Sequence, residues 1–117
     1  MKRYISLLML SFGMLQAMAA EILDSQASMA ESIQAALEHE RRTDSEKDRD
    51  KNRNPKETLE FLGTEADMSV LELMPGGGWY TEILAPYLAD QGTLWVAAPG
   101  PQGLGAVLDM LAAHPEA

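Results

Sequence analysis

The sequence predicts an α/β fold in which a strand-helix-strand-helix unit follows a set of amino-terminal helices. Three observations carry that expectation. Ser69 to Met74 is a short apolar run, SVLELM, ended by Pro75 and three consecutive glycines. From Trp79 to Leu88 the residues Tyr80, Ile83, Leu84, Tyr87 and Leu88 recur at three- and four-residue spacing, the period of a helix packed by one face. A second apolar run, TLWVAA, follows the turn Asp90-Gln91-Gly92. Two strands joined through one helix in the same sheet pair in parallel through a right-handed crossover. Pro86 falls inside the helical pattern and should kink or shorten it.

At 117 residues the chain holds one small domain. Residues 1–20, MKRYISLLMLSFGMLQAMAA, read as a cleavable signal peptide. Lys2 and Arg3 supply the positive start, an apolar stretch follows, and Ala17-Met18-Ala19 gives the small-x-small cleavage pattern. The apolar stretch is shorter than the roughly 20 residues of a membrane span. Cleavage near Ala19 or Ala20 would place the mature protein in the periplasm or outside the cell. Export permits disulfides, yet the chain has no Cys, so its fold must rest on packing alone.

Charge is unevenly distributed. The formal net charge is -9, and every Lys or Arg beyond Arg3 lies between Arg41 and Lys56. That basic run is interleaved with acids, which argues against counterion displacement on a nucleic acid and for a solvated, ion-paired segment. Without Cys, and with His39 and His114 far apart, no metal-ligand spacing is present.

Residues 21–54 read as a helical, charged extension. Met29, Ile33 and Leu37 lie four apart and stack on one helical face, with Ser25 or Ser28 as a candidate cap. TDSEKDRDKNRN, residues 43–54, has no apolar face and reads as an exposed helix or linker. Residues 55–117 start the α/β unit. Asn54 is a candidate N-cap, Pro55 suits the first helical position, and Glu57 stands where a capping-box carboxylate reaches back. Leu59, Phe61 and Leu62 give that helix an apolar side, and Gly63 can end it in the left-handed conformation. The run from Ser69 suits a strand covered on both faces. At the other end, Leu104, Val107, Leu108 and Leu111 predict a last helix ending at His114-Pro115.

Glycines at the carboxyl end of a first strand let the backbone turn tightly and approach a ligand closely. Glu72 within that strand needs a partner, since a half-buried carboxylate is costly unless it bonds something. A ligand ammonium or backbone N–H groups of the loop would serve. A plain glycine turn beside an edge-strand carboxylate is the simpler alternative, because short glycine patterns are weak signals.

VLELMPGGGWYTEIL resembles the first motif of class I S-adenosylmethionine-dependent methyltransferases, an acidic strand followed by a glycine loop. More narrowly, RDKNRNPKETLEFLG followed by VLELMPGGGWYTEILAPYL looks like a group of exported, largely uncharacterised methyltransferases. The resemblance implies a Rossmann-like methyltransferase fold and S-adenosylmethionine as cofactor. It also implies a cofactor site at Glu72, Met74, Gly76, Gly77 and Gly78, with Glu72 placing the methionine end. The family's usual first loop glycine is Met74 here, and Ala98 stands where an acid usually holds the ribose hydroxyls. The family's sheet has more strands than this chain supplies, so the expectation is the amino-terminal portion of such a protein. The methyl acceptor and the catalytic residues are not legible. Other readings stay open: a non-catalytic small periplasmic helical protein using the Met29/Ile33/Leu37 face to bind a partner, an inactive gene remnant, and a dinucleotide-binding fragment. The last is disfavoured by the run Gly76-Gly77-Gly78-Trp79-Tyr80, which departs from the G-x-G-x-x-G fingerprint.

Overall fold

The computed structural model describes residues 2–113, with side chains from Met14 onward. A long helix α1 (Lys2–Glu38) leads into two short helices, α2 (Asp44–Lys47) and α3 (Asp50–Arg53), and then α4 (Pro55–Phe61). Strand β1 (Ser69–Leu73), helix α5 (Thr81–Leu88) and strand β2 (Thr93–Ala97) follow. A 3-10 turn (Pro101–Leu104) and helix α6 (Gly105–Ala113) come last.

From Met14 to Glu38 the chain has neither Gly nor Pro and is rich in Ala, Leu, Met, Gln and Glu, so α1 runs unbroken through Ser25 and Ser28. Neither serine starts it; the Ser32 hydroxyl instead donates to the Ser28 carbonyl at 2.9 Å. Residues 14–28 of α1 are exposed. The expected apolar face is used further on, where α1 packs against α4 and α5. Ile33 is fully buried, Ala36 and Leu37 are buried beside it, and Met29 covers their edge. Truncating Ile33 to Ala would cost about 2–5 kcal/mol in lost contacts and cavity.

The reciprocal capping box forms at α2. Glu46 N–H donates to the Thr43 hydroxyl at 3.3 Å, and the Thr43 N–H donates to the Glu46 carboxylate at 2.7 Å. It is absent at α4, where the sequence suggested Asn54 and Glu57. Asn54 must end α3 and start α4 together. It adopts φ 45° and ψ 55°, its N–H donates to the Asp50 carbonyl at 2.8 Å, and its side chain makes no cap bond. That left-handed conformation suits a helix end, whereas an N-cap side chain works from the extended region. Leu59 is buried, but Phe61 is 90% exposed, because residues two apart on a helix do not share a face, and Leu62, the C-cap beyond the end of α4, is exposed as well. Gly63 takes φ 62° after α4, as its position suggested.

β1 and β2 pair in parallel from Ser69↔Thr93 to Leu73↔Ala97. α5 is two residues shorter than its sequence pattern, with Trp79 and Tyr80 in the preceding turn, and it runs through Pro86. Ile83, Leu84, Tyr87 and Leu88 join Ile33 and Leu59 in one core. The Tyr87 hydroxyl donates to the Thr64 carbonyl at 2.6 Å, tying α5 to the segment before β1. Val70, Glu72, Leu94 and Val96 are half-buried on one face of the sheet. Leu71, Leu73 and Trp95 on the other face are exposed, contrary to the expectation of a strand covered on both sides. Among the described residues the helices cover one side only.

Gly92 is set by close approach. A Cβ there would lie 2.6 Å from the Ala66 carbonyl oxygen and 2.8 Å from that of Met68. The next residue, Thr93, donates its N–H to that same Met68 carbonyl, which starts the β1–β2 ladder. Val107 and Met110 anchor α6, and the expected end at His114-Pro115 lies outside the described residues. Among the described residues no helix is long and apolar enough to cross a membrane.

Candidate functional site

The chain leaves β1 through a turn that only certain backbones can make. Met74, Gly76 and Gly78 have φ of 55°, 58° and 77°, so three of five consecutive residues are left-handed. Glycine reaches that region freely, while an L-residue such as Met74 sustains a strain of about 1–2 kcal/mol there. The strained residue is held by the sheet: the Met74 N–H donates to the Ala97 carbonyl at 2.7 Å. Position 74, where the resembled family carries its first loop glycine, therefore has the conformation that favours glycine.

This turn opens onto a cleft of about 570 Å³ at the carboxyl end of β1. The size falls within the usual range for small-molecule sites. Glu72, Met74, Gly76 and Gly77 all line it. A Cβ added at Gly76 or Gly77 would meet nothing within 4 Å, so the loop backbone faces open space. Gly78 does not line the cleft; it sits behind, with Thr81 as its neighbour.

Glu72 has a protein partner that the sequence pattern did not suggest. The hydroxyl of Thr81, itself fully buried at the start of α5, donates to Glu72 Oε2 at 2.7 Å. Burial pushes the Glu72 carboxyl above its ordinary value, and the Thr81 hydrogen bond opposes that shift without cancelling it. One donor leaves most of the carboxylate's acceptor capacity unused.

The charged segment is more than a solvated tether. Its short helices α2 and α3 bury none of their residues, but Arg42 just ahead of them is 3% exposed. Its guanidinium forks onto Asp50 at 2.6 and 2.9 Å and donates to the Leu37 carbonyl at 2.7 Å. Trp79, the residue after the glycines, is buried beside it. The indole N–H donates to the Glu46 carbonyl at 3.0 Å, and the ring receives the Arg42 and Arg53 guanidiniums at 5.6 and 4.7 Å. Trp79 thus pins the far side of the glycine loop to α2 and α3. Arg49 and Arg53 line the same cleft as Glu72. Sequence reasoning missed both. Their four-residue spacing in the basic run was the available signal, since such residues share a helical face.

His39 accepts from the Arg41 N–H at 3.4 Å and stands apart from the cleft lining, while His114 lies outside the described residues. Ala98 follows β2 and is likewise not part of the cleft lining. Among the described residues no group of His, Cys, Asp or Glu is arranged to hold a metal ion. No protein-family model, no curated protein and no solved structure matches this chain.

Proposed function

We propose that the chain is a methyltransferase-like exported protein that binds S-adenosylmethionine at the glycine loop and transfers its methyl group to an acceptor. The observation that carries the reading is the left-handed turn through Met74, Gly76 and Gly78, which presents bare backbone to a cleft beside the Glu72 carboxylate. In open α/β sheets ligands bind outside the carboxyl ends of the strands, where this cleft lies. The β1-α5-β2-α6 order is consistent with the start of a Rossmann-like methyltransferase domain.

The cofactor would supply a sulfonium methyl group; the protein's part is placement. Glu72 keeps acceptor capacity beyond its Thr81 bond and would take the methionine ammonium. Gly76 and Gly77 leave room for the ligand against the main chain, and Gly78 sets the turn. Methyl transfer from a sulfonium depends chiefly on alignment, so proximity carries the catalysis and no acid or base is assigned. With Ala98 in place of an acid, affinity rests on the methionine end and the loop. Maturation near Ala19 or Ala20 and a periplasmic or secreted location complete the proposal. The Met29/Ile33/Leu37 face, the basis of a non-catalytic binding role, is packed against α4 and α5 within the molecule.

Calorimetric titration of S-adenosylmethionine into the full chain tests the site. Saturable binding that weakens in Glu72→Gln and is lost in Gly76→Val is the expected result. Binding indifferent to both substitutions, or no binding, rejects it.

A further inference from the structure

Two arginines and a glutamate line the same cleft. Arg49 and Arg53 are exposed, one helical turn apart, and both line the cleft with Glu72. Elsewhere the segment's arginines are spoken for: Arg42 is forked onto Asp50, and Arg41 lies 3.9 Å from Glu82. The Arg49 and Arg53 side chains make no hydrogen bond or ion pair among the described residues, in a chain of formal net charge -9. An acidic chain offers many carboxylates to an arginine, and among the described residues these two side chains meet none.

Their placement is also held from behind. The Arg53 guanidinium lies 4.7 Å from the centre of the Trp79 ring. The ring is fixed by its bond to the Glu46 carbonyl, and the Arg42–Asp50 fork ties α3 to the end of α1. A guanidinium held over an aromatic face keeps N–H groups for a further partner, and a carboxylate can meet them in a fork.

We propose that Arg49 and Arg53 form a carboxylate clamp which, with Glu72 in the lining of the same cleft, recognises the zwitterionic end of an α-amino acid. Under the function proposed above, on which the assignment of this ligand rests, that end is the methionine carboxylate of S-adenosylmethionine. Glu72 takes the ammonium and the arginines take the carboxylate. The clamp compensates for Ala98 by concentrating recognition on the amino-acid end.

The test compares S-adenosylmethionine with its decarboxylated form, which keeps the sulfonium, ribose and amine and lacks only the carboxylate. Arg49→Gln, Arg53→Gln and Arg53→Lys are titrated calorimetrically with both, and with L-methionine alone. The two side chains are exposed, so both glutamine variants should keep the parent circular dichroism, Arg49→Gln also its thermal midpoint, and Arg53→Gln should lose no more stability than its contact with Trp79 supplies. The expected result is a loss of about tenfold per arginine for S-adenosylmethionine, as for one charge-assisted hydrogen bond. The decarboxylated ligand should lose less than about twofold. Arg53→Lys should fall between, keeping charge without the fork. Equal losses with both ligands, or none with either, overturn the clamp and leave the glycine-loop site standing. If S-adenosylmethionine does not bind but L-methionine does, through the arginines, the clamp holds and the methyltransferase reading fails. Binding of neither overturns both.

Discussion

The Thr81 hydroxyl holds the Glu72 carboxylate at 2.7 Å from the first residue of the helix that follows the glycine loop. Burial still raises the Glu72 pKa, so the folded protein binds that proton more tightly than the unfolded chain does. Stability therefore falls as pH rises from the ordinary carboxylate range through the raised folded value, and the penalty is complete above it. Glu72→Gln removes that ionisation and keeps an acceptor for Thr81. It should raise the thermal midpoint at pH 7, with the advantage disappearing below the ordinary carboxylate range. The same variant should lose about 1.5–3 kcal/mol of affinity for S-adenosylmethionine, because a charge-assisted contact to the ammonium is gone. Thermal melts across pH, paired with calorimetry, check both signs. A variant less stable than the parent at pH 7 would contradict the account.

Gly76 and Gly77 separate backbone strain from ligand access. Gly76→Val forces a β-branched residue to φ 58° and should destabilise the fold by about 1–2 kcal/mol as well as abolish binding. Gly77 has no positive φ and a Cβ there meets nothing within 4 Å. Gly77→Ala should leave stability within about 0.5 kcal/mol while the added methyl weakens S-adenosylmethionine binding. Chemical denaturation and ligand titration of both variants read the two effects apart.

Arg42→Ala should cost about 3 kcal/mol. It strips the half-buried Asp50 carboxylate of its fork and the buried Leu37 carbonyl of its donor, leaving both unmatched. Arg42→Lys should recover only part of this, since an ammonium cannot span both Asp50 oxygens. Urea denaturation monitored by Trp fluorescence measures the series; a neutral Arg42→Ala would show that the segment is a tether after all.

Gly92→Ala should destabilise by about 1–3 kcal/mol, because its methyl would press on two backbone carbonyls that cannot swing aside as a side chain would. Gly105→Ala is the control: its Cβ meets nothing and its φ is helical, so the alanine should be neutral or slightly stabilising. Thermal melts of the two variants give the comparison.

Export predicts a mature protein beginning at Ala20 or Glu21. N-terminal sequencing of the periplasmic fraction from a double-membrane bacterial host checks it, and soluble cytoplasmic protein with Met1 intact would contradict it.

The parallel pair, the helix between the strands and the glycine turn were legible in the sequence because their signals are local. Apolar period decides strand or helix, and Gly and Pro break it wherever they occur. The face made by Met29, Ile33 and Leu37 was legible for the same reason, since spacing alone fixes which residues share a helical side.

Tertiary structure decided the rest. Asn54 reads as a cap, but it must also close α3, and the left-handed backbone that does so takes its side chain away from α4. Arg42 reads as one charge among many, and only its fork onto Asp50 beside Trp79 makes it part of the interior. Met74 shows its strained φ only once β2 lies beside it to accept its N–H. The cleft joins Arg49 and Arg53 to Glu72, residues about twenty positions apart, and no periodicity reports such a meeting. A sequence determines which elements form because their energetics are set by near neighbours; which charges face one another is settled only when those elements pack.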